Sequence, residues 1–358
     1  MKRLPIISQV LIADHNEKVK IRKDKIDQIP DNSFIIRSLI SGVSHGTELS
    51  TIRGELVSFD YSWDNEKRNF DKDGKKKSFP KNLGYETVAE VILVGEGVKS
   101  VCIGDRIWAD VPHSDYYLID ELKDKFYKLP SDISNKKAAC LALTRVALAG
   151  VHDANPLIGE IGVVSGLGCI GLLTVQLLKL SGVKQVYGID PKKSRRKVAE
   201  KFGAISIDPL NENPAEKIYE ISNSNADFVI EASGSLKAVH EAIKCCKIGG
   251  KVVTVASYKG GADQLYLGHE WHKNRINLIS SMSINNCPHR NYPLWDLNRL
   301  NLTSIELLKL LDIDSIISHE FLFKDYNKLY KLLKSGDENV IKMIITHKSL
   351  SKQKNGVR

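Results

Sequence analysis

Up to about residue 150 the chain consists of short apolar or alternating runs broken by Gly, Pro and Asp. FIIRSLISGV (34–43), ETVAEVILVG (86–95) and DRIWADV (105–111) have strand length and turn residues around them, which predicts an all-β region with irregular loops. Near Ala138 the period changes. NKKAACLALTRVALAGVHDA (135–154) carries apolar residues at helical spacing until Pro156 stops it. A strand–helix alternation follows. GEIGVVSG, QVYGID, AISI, ADFVIEAS and KVVTVAS read as strands, with the helices GCIGLLTVQLLKLSG, RRKVAEKFGA, PAEKIYEIS and LKAVHEAIKCCKIGG between them. Such alternation predicts a parallel sheet with helices on both faces. From about Cys287 the tail is mixed: amphipathic TSIELLKLLD and YNKLYKLLKSG, the strand NVIKMIITH, and a polar terminus expected to fray. No internal repeat appears.

The first strand of the alternation carries chemistry at its end. It enters Gly166-Leu167-Gly168-Cys169-Ile170-Gly171 and then a helix, and the next strand ends in Asp190, 19 residues beyond Gly171. Gly166 suits the tight turn, Gly168 a close approach of backbone to a pyrophosphate, and Gly171 helix-on-strand packing. The phosphates would meet the helix N-terminal N–H groups. Asp190 would accept hydrogen bonds from ribose hydroxyls and repel a 2′-phosphate, so NAD is expected ahead of NADP. Lys192, Lys193, Arg195 and Arg196 follow closely. Arg195 is assigned to the cofactor, and a basic residue here that neutralises a phosphate is the route by which NADP stays open.

Composition narrows the class. The 358 residues suggest two domains, and no run reaches the ~18 apolar residues of a membrane span. The N-terminal apolar run is interrupted by Asp14, His15 and Asn16, so no signal peptide is read. The net charge of +9 is spread thinly, its densest run being Lys75-Lys76-Lys77 in a mixed-charge segment. A solvated loop is expected there, with neither nucleic acid nor membrane as a partner. Six cysteines without repeated Cys-x-x-Cys pairs point to a reducing cytoplasm. Cys245 and Cys246 are expected on a helix as small apolar residues.

NLGYETVAEVILVGEGVKSVCIGDRIWA (82–109), with GVSHGTEL (42–49) before it and the Rossmann unit after it, resembles the medium-chain dehydrogenase/reductases over residues from about 40 to 345. The resemblance implies an α/β protein: a split GroES-like β-barrel catalytic domain with an inserted, doubly wound Rossmann sheet. It divides the chain at 1–152, 153–287 and 288–358, and implies an active site in the cleft between the domains. Zinc enzymes of that family have Cys and His where this chain has Ser44-His45 and Gly84-Tyr85-Glu86. Serine and tyrosine are poor zinc ligands. The four-cysteine lobe after GDR is missing too, so neither structural nor catalytic zinc is expected. The alternative places His45 in the cysteine's position, holding a metal with Glu86 and Cys140. GVSHGTE, GYE, VPHSDY, LALTRVAL and EWHKNRINLISS together resemble a branch that includes bacteriochlorophyllide 2-hydroxyethyl dehydrogenase-like proteins and lacks the usual ligands.

Without a Lewis acid, hydrogen-bond donors must stabilise the oxygen that gains charge in hydride transfer. Tyr85 is the leading proton donor, His45 and Thr47 are relay candidates, Glu86 would orient them or bind a substrate hydroxyl, and His113 is a further pocket candidate. Thr144 lies on a helix that approaches the nicotinamide in this family. Arg275, after His272 and Asn274, is expected to reach the pyrophosphate or an anionic substrate. The resulting expectation is a cytoplasmic, homodimeric or homotetrameric, NAD-dependent alcohol or polyol dehydrogenase acting on a secondary alcohol or its ketone: a sugar, cyclitol or biosynthetic intermediate. The alternatives are an NADPH-dependent reductase of an activated double bond and a nucleotide-binding protein without activity.

Overall fold

The computed structural model describes residues 4–284 and 287–347. The polar terminus expected to fray lies outside them. The chain divides into two compact units at Cys140/Leu141 and at Ile316/Ile317, rather than at 152 and 287. The reason lies in two helices. Leu141–Ala154 buries twelve of its fourteen residues and packs on helix Cys169–Leu180, on helix Leu297–Leu310 and on the strands Ala226–Glu231 and Cys246–Thr254. The single helix expected over 135–154 is thus two, and its first piece, Asn135–Ala138, stays with the first unit.

In the first unit the long strand Ser33–Val43 organises the main sheet. It pairs antiparallel with Thr87–Val94 from Phe34 to Ser41, with Tyr116–Asp120 from Ser33 to Arg37, and with the returning strand Lys342–Thr346 from Ile40 to Val43. That strand pairs in parallel with Ile317–Leu322, so the C-terminal return is built into the sheet and the split unit expected for a GroES-like barrel is present. Ser33–Val43 is buried almost throughout, which fits its apolar run. Ile6–Asp14 and Lys18–Ile26 pair antiparallel. The latter was not legible as a strand because alternate positions are charged (KVKIRKDKI) and mostly face solvent.

The second unit holds a six-stranded parallel sheet. Its order is Ile205–Ile207, Gln185–Ile189, Ile161–Ser165, Ala226–Glu231, Cys246–Thr254 and Asn277–Ser280. The chain order reverses between Ile161–Ser165 and Ala226–Glu231, the switch point at which doubly wound sheets bind ligands. Val163, Tyr187, Val229, Ile243 and Val252 form its core. Cys245 ends a helix while Cys246 opens a strand; both are buried, and burial pushes the Cys245 thiol up to about 12. The edge strand Asn277–Ser280 was missed, because it is only four residues long and Asn277, Leu278 and Ser280 are exposed. Among the described residues, no helix is long and apolar enough to cross a membrane.

Candidate functional site

The second unit presents a glycine turn at the sheet's switch point. Gly166 has φ +88°, the left-handed region, and a Cβ there would lie 2.6 Å from the Ser233 nitrogen. Gly171 lets helix Cys169–Leu180 close on the turn, since a Cβ would come 1.9 Å from the Gly166 carbonyl oxygen. Gly168 differs: a Cβ there would meet only Arg195 Nη1, at 4.0 Å. The turn is held by Asp190, which is buried. Its Oδ2 accepts from the Leu167 N–H at 2.8 Å and its Oδ1 from the Lys192 N–H at 2.8 Å, with Arg195 Nη1 3.5 Å from Oδ2. Arg196 is engaged elsewhere, donating to Asp208 Oδ2 at 2.8 Å and to two backbone carbonyls. Gly166 to Gly171, with Leu167, Cys169 and Ile170 between, Asp190 and Arg195 are therefore gathered in one place. Thr144 is fully buried in helix Leu141–Ala154 of the same unit.

Arg275 is not brought there. Asn277 is level with Lys251, Lys251 with Phe228, and Phe228 with Gly162. At about 3.3 Å per residue, Gly166 lies roughly 13 Å further along the strands. Arg275 precedes even Asn277, so it sits exposed at the opposite end of the sheet.

In the first unit a polar network surrounds the start of helix His45–Arg53. The Ser44 N–H donates to Glu48 Oε1 at 2.8 Å, which fixes the helix entry. Glu48 is buried, with His113 Nε2 3.2 Å from Oε1 and the Tyr330 hydroxyl donating to Oε2 at 2.6 Å. His113 Nδ1 lies 2.8 Å from Ser41 Oγ. Burial alone would raise the Glu48 carboxyl, but His113, Tyr330 and the Ser44 N–H outweigh it and hold it below the ordinary carboxylate range. From this framework the Ser44 hydroxyl accepts a 2.6 Å hydrogen bond from Tyr85. Burial and the neighbouring Glu86 charge push the Tyr85 phenol up to about 12, against hydrogen bonds to Ser44 and Thr47. Tyr85 and His45 remain partly accessible and Thr47 is exposed.

Two expected site residues are internal instead. Glu86 is 0% exposed and bonds Lys342 Nζ, itself 1% exposed, at 2.5 Å. His113 is likewise fully buried. Both are closed off from solvent: Glu86 meets the returning strand through Lys342, and His113 meets Glu48.

The zinc-binding dehydrogenase family matches residues 169–298. D-guloside 3-dehydrogenase of Escherichia coli (strain K12) is 29% identical over 328 residues, covering 88% of this chain and 93% of that protein. D-xylulose reductase of Saccharomyces cerevisiae is 28% identical over 305 residues, 74% of this chain and 81% of that one. The crystal structure of 2R,3R-butanediol dehydrogenase from Bacillus subtilis shares the fold, with a TM-score of 0.77 at 19% identity over 95% of this chain and 99% of that one. The family match and these relatives support a likeness to the medium-chain dehydrogenase/reductase superfamily.

The polar network also holds residues to which the sequence alone gave no role. Glu48 closes the quoted motif SHGTE, where only His45 and Thr47 had been given roles. Tyr330 lies on the buried face of helix Tyr326–Ser335 with Leu329 and Leu333, and nothing in the amphipathic pattern sets it apart from them. Lys342 had a legible signal: a lysine inside the apolar strand run KMIIT must find a carboxylate. Glu231 was missed as well. It ends its strand level with Ser165 and accepts from Ser233 and the Tyr258 hydroxyl, and burial raises its carboxyl. The buried Glu86–Lys342 pair yields a stability prediction. Lys342→Met takes the cation away from the buried Glu86 carboxyl, so urea unfolding should show a loss of about 3 kcal/mol. The double variant with Glu86→Gln should recover most of it. A single variant as stable as wild type would show that the pair holds nothing.

Proposed function

We propose that this chain is an NAD-dependent dehydrogenase that interconverts a secondary alcohol of a polyol or sugar with its ketone, and that it works without a catalytic zinc ion. The observation that carries the reading is the Tyr85–Ser44 hydrogen bond, formed at the positions where zinc enzymes of the family resemble one another in ligands. The donor set does not fit zinc. Ser44 and Tyr85 offer neutral hydroxyls, and the Tyr85 proton is held up to about 12. Among the described residues, His45, Glu86 and Cys140 are not in a grouping of ligating atoms close enough to share an ion. The names of the relatives, a D-guloside 3-dehydrogenase and a D-xylulose reductase, support a hydroxylated substrate.

The glycine turn fits a dinucleotide. Gly168 leaves open space beside N–H groups at a helix N-terminus, and the buried Asp190 charge opposes a 2′-phosphate. When bound, the nicotinamide supplies or accepts the hydride. Arg195 lies between Asp190 and Gly168, where it positions the nucleotide. Tyr85 gives its proton to the oxygen that gains charge as a carbonyl is reduced, and a proton from solvent returns to it through the exposed Thr47 hydroxyl. Glu48, His113 and Tyr330 keep Ser44 in place. Six free cysteines suit a cytoplasmic setting. The unpaired edge strand Asn277–Ser280, with Leu278 41% and neighbouring Met282 52% exposed, suits a homodimer or homotetramer.

The test is NAD-dependent oxidation across a panel of polyols and sugar glycosides after exhaustive chelation. Retained turnover is expected, whereas loss restored by zinc would overturn the metal-free reading and inactivity on every alcohol the enzymatic one. Asp190→Ala should shift relative affinity toward NADPH by about tenfold or more. An unchanged NADH/NADPH ratio would remove Asp190 from cofactor choice.

A further inference from the structure

We infer that His240, His269 and Glu270 form a binding site for one divalent transition metal ion of the zinc type, on the second unit and separate from every position at which the family's zinc ligands fall. One ligand atom from each of the three lies within 4.8 Å of the others, and among the described residues this is the one grouping of three His, Cys, Asp or Glu that does so.

The backbone presenting these donors is fixed by packing. His240 lies in helix Leu236–Cys245, which is anchored to the sheet by buried Val239, Ala242, Ile243 and Cys245. His269 and Glu270 open the short helix Glu270–Lys273, where Trp271 packs against the unit's core. The Lys273 N–H donates to the His269 carbonyl at 3.0 Å and the Asn274 N–H to that of Glu270 at 2.9 Å. The rings are held as well. Tyr266 stacks on His269 with centroids 5.3 Å apart and meets His240 edge-on at 5.2 Å.

A second observation points to a ligand. His240 Nδ1 and Glu270 Oε2 are both buried from water and have no hydrogen-bond partner. An unmet buried polar atom is destabilising, and here two of them belong to the same cluster. A cation coordinated by nitrogen and carboxylate oxygen satisfies both at once. Donors around a tetrahedral zinc stand about 3.3 Å apart, so closing on an ion calls for side-chain rotation alone. Two imidazoles and one carboxylate without thiolate suit zinc, and cobalt or nickel in its place, better than magnesium or calcium. Three protein ligands leave a position for water, which exposed His269 admits. The ion would tie helix Leu236–Cys245 to Glu270–Lys273 and stabilise this unit by mass action.

The test titrates the untagged, metal-stripped protein with cobalt chloride, followed by absorption, and with zinc chloride, followed by thermal unfolding. One cobalt per chain is expected, with a tetrahedral visible band and no thiolate-to-cobalt band in the near ultraviolet. Zinc should raise the unfolding midpoint. His269→Ala, an exposed position that leaves the core intact, and Glu270→Gln should each abolish both responses while the metal-free midpoint stays near wild type. No binding, binding retained in His269→Ala, or a thiolate band would overturn the site. A thiolate band that disappears in Cys140→Ser would place the ion at Cys140 and so count against the metal-free active site as well, whereas absence of binding would leave that reading untouched.

Discussion

Gly168→Val should abolish NADH binding in a protein that still folds. The three glycines of the turn are not equivalent, and the coordinates separate them. Gly166 needs positive φ and Gly171 admits no Cβ, so a side chain at either forces the backbone to move. Gly168 has φ −70° and ψ −170°, values open to valine, and a Cβ there approaches only the flexible end of Arg195. As the N-cap of helix Cys169–Leu180 it gives up about 1 kcal/mol on substitution. The volume that valine fills is the volume a pyrophosphate needs against the helix N–H groups. Calorimetric titration should therefore show NADH affinity reduced at least about 100-fold, a loss of roughly 2.7 kcal/mol, with the unfolding midpoint lowered by only a few degrees. Gly171→Val should instead lose the folded state. Wild-type NADH affinity in Gly168→Val would mean that the phosphates lie elsewhere.

These glycines were legible because their chemistry is local: turn, helix N-terminus and acid fall within 25 residues of one chain segment. The network around Tyr85 is assembled differently. Its members come from the strand at 41, the helix start at 44–48, the loop at 113 and the returning segment at 330 and 342. Spacing along a sequence carries no record of a hydrogen bond spanning 282 positions, as between Tyr330 and Glu48. Glu86 and His113 stand out as pocket candidates, yet depth decides their role, and alternation in a strand does not reveal whether both faces are covered. Arg275 failed for a related reason. Its distance from the turn depends on a short, exposed edge strand, and parallel register puts it at the wrong end of the sheet.

The metal question also separates into two. One zinc per chain in elemental analysis would not by itself restore a catalytic ion, because His240, His269 and Glu270 offer a better donor set than the hydroxyls around Tyr85. Activity after chelation, compared between wild type and His269→Ala, assigns the ion.

Tyr85→Phe should lower turnover by 10²–10⁴-fold while NADH affinity stays at the wild-type value. That range is what a positioned general acid contributes, and the argument for Tyr85 is the state of its proton. Burial and Glu86 hold the phenol up to about 12, so at neutral pH it is a donor and never a significant phenolate. A group with a raised pKa keeps its acid form at every pH below that value. Ketone reduction should accordingly show no loss from Tyr85 ionisation until the pH exceeds about 11, and alcohol oxidation, which needs the proton accepted, should gain as the pH rises. The phenyl ring preserves the packing and removes only the hydroxyl that donates to Ser44. A fall confined to kcat therefore reports proton transfer, whereas a rise in KM alone reports substrate binding. If a bound ion stabilised the oxygen instead, the hydroxyl would be dispensable. Wild-type turnover in Tyr85→Phe would remove the tyrosine from the chemistry and return the search for an electrophile to His45 and Cys140.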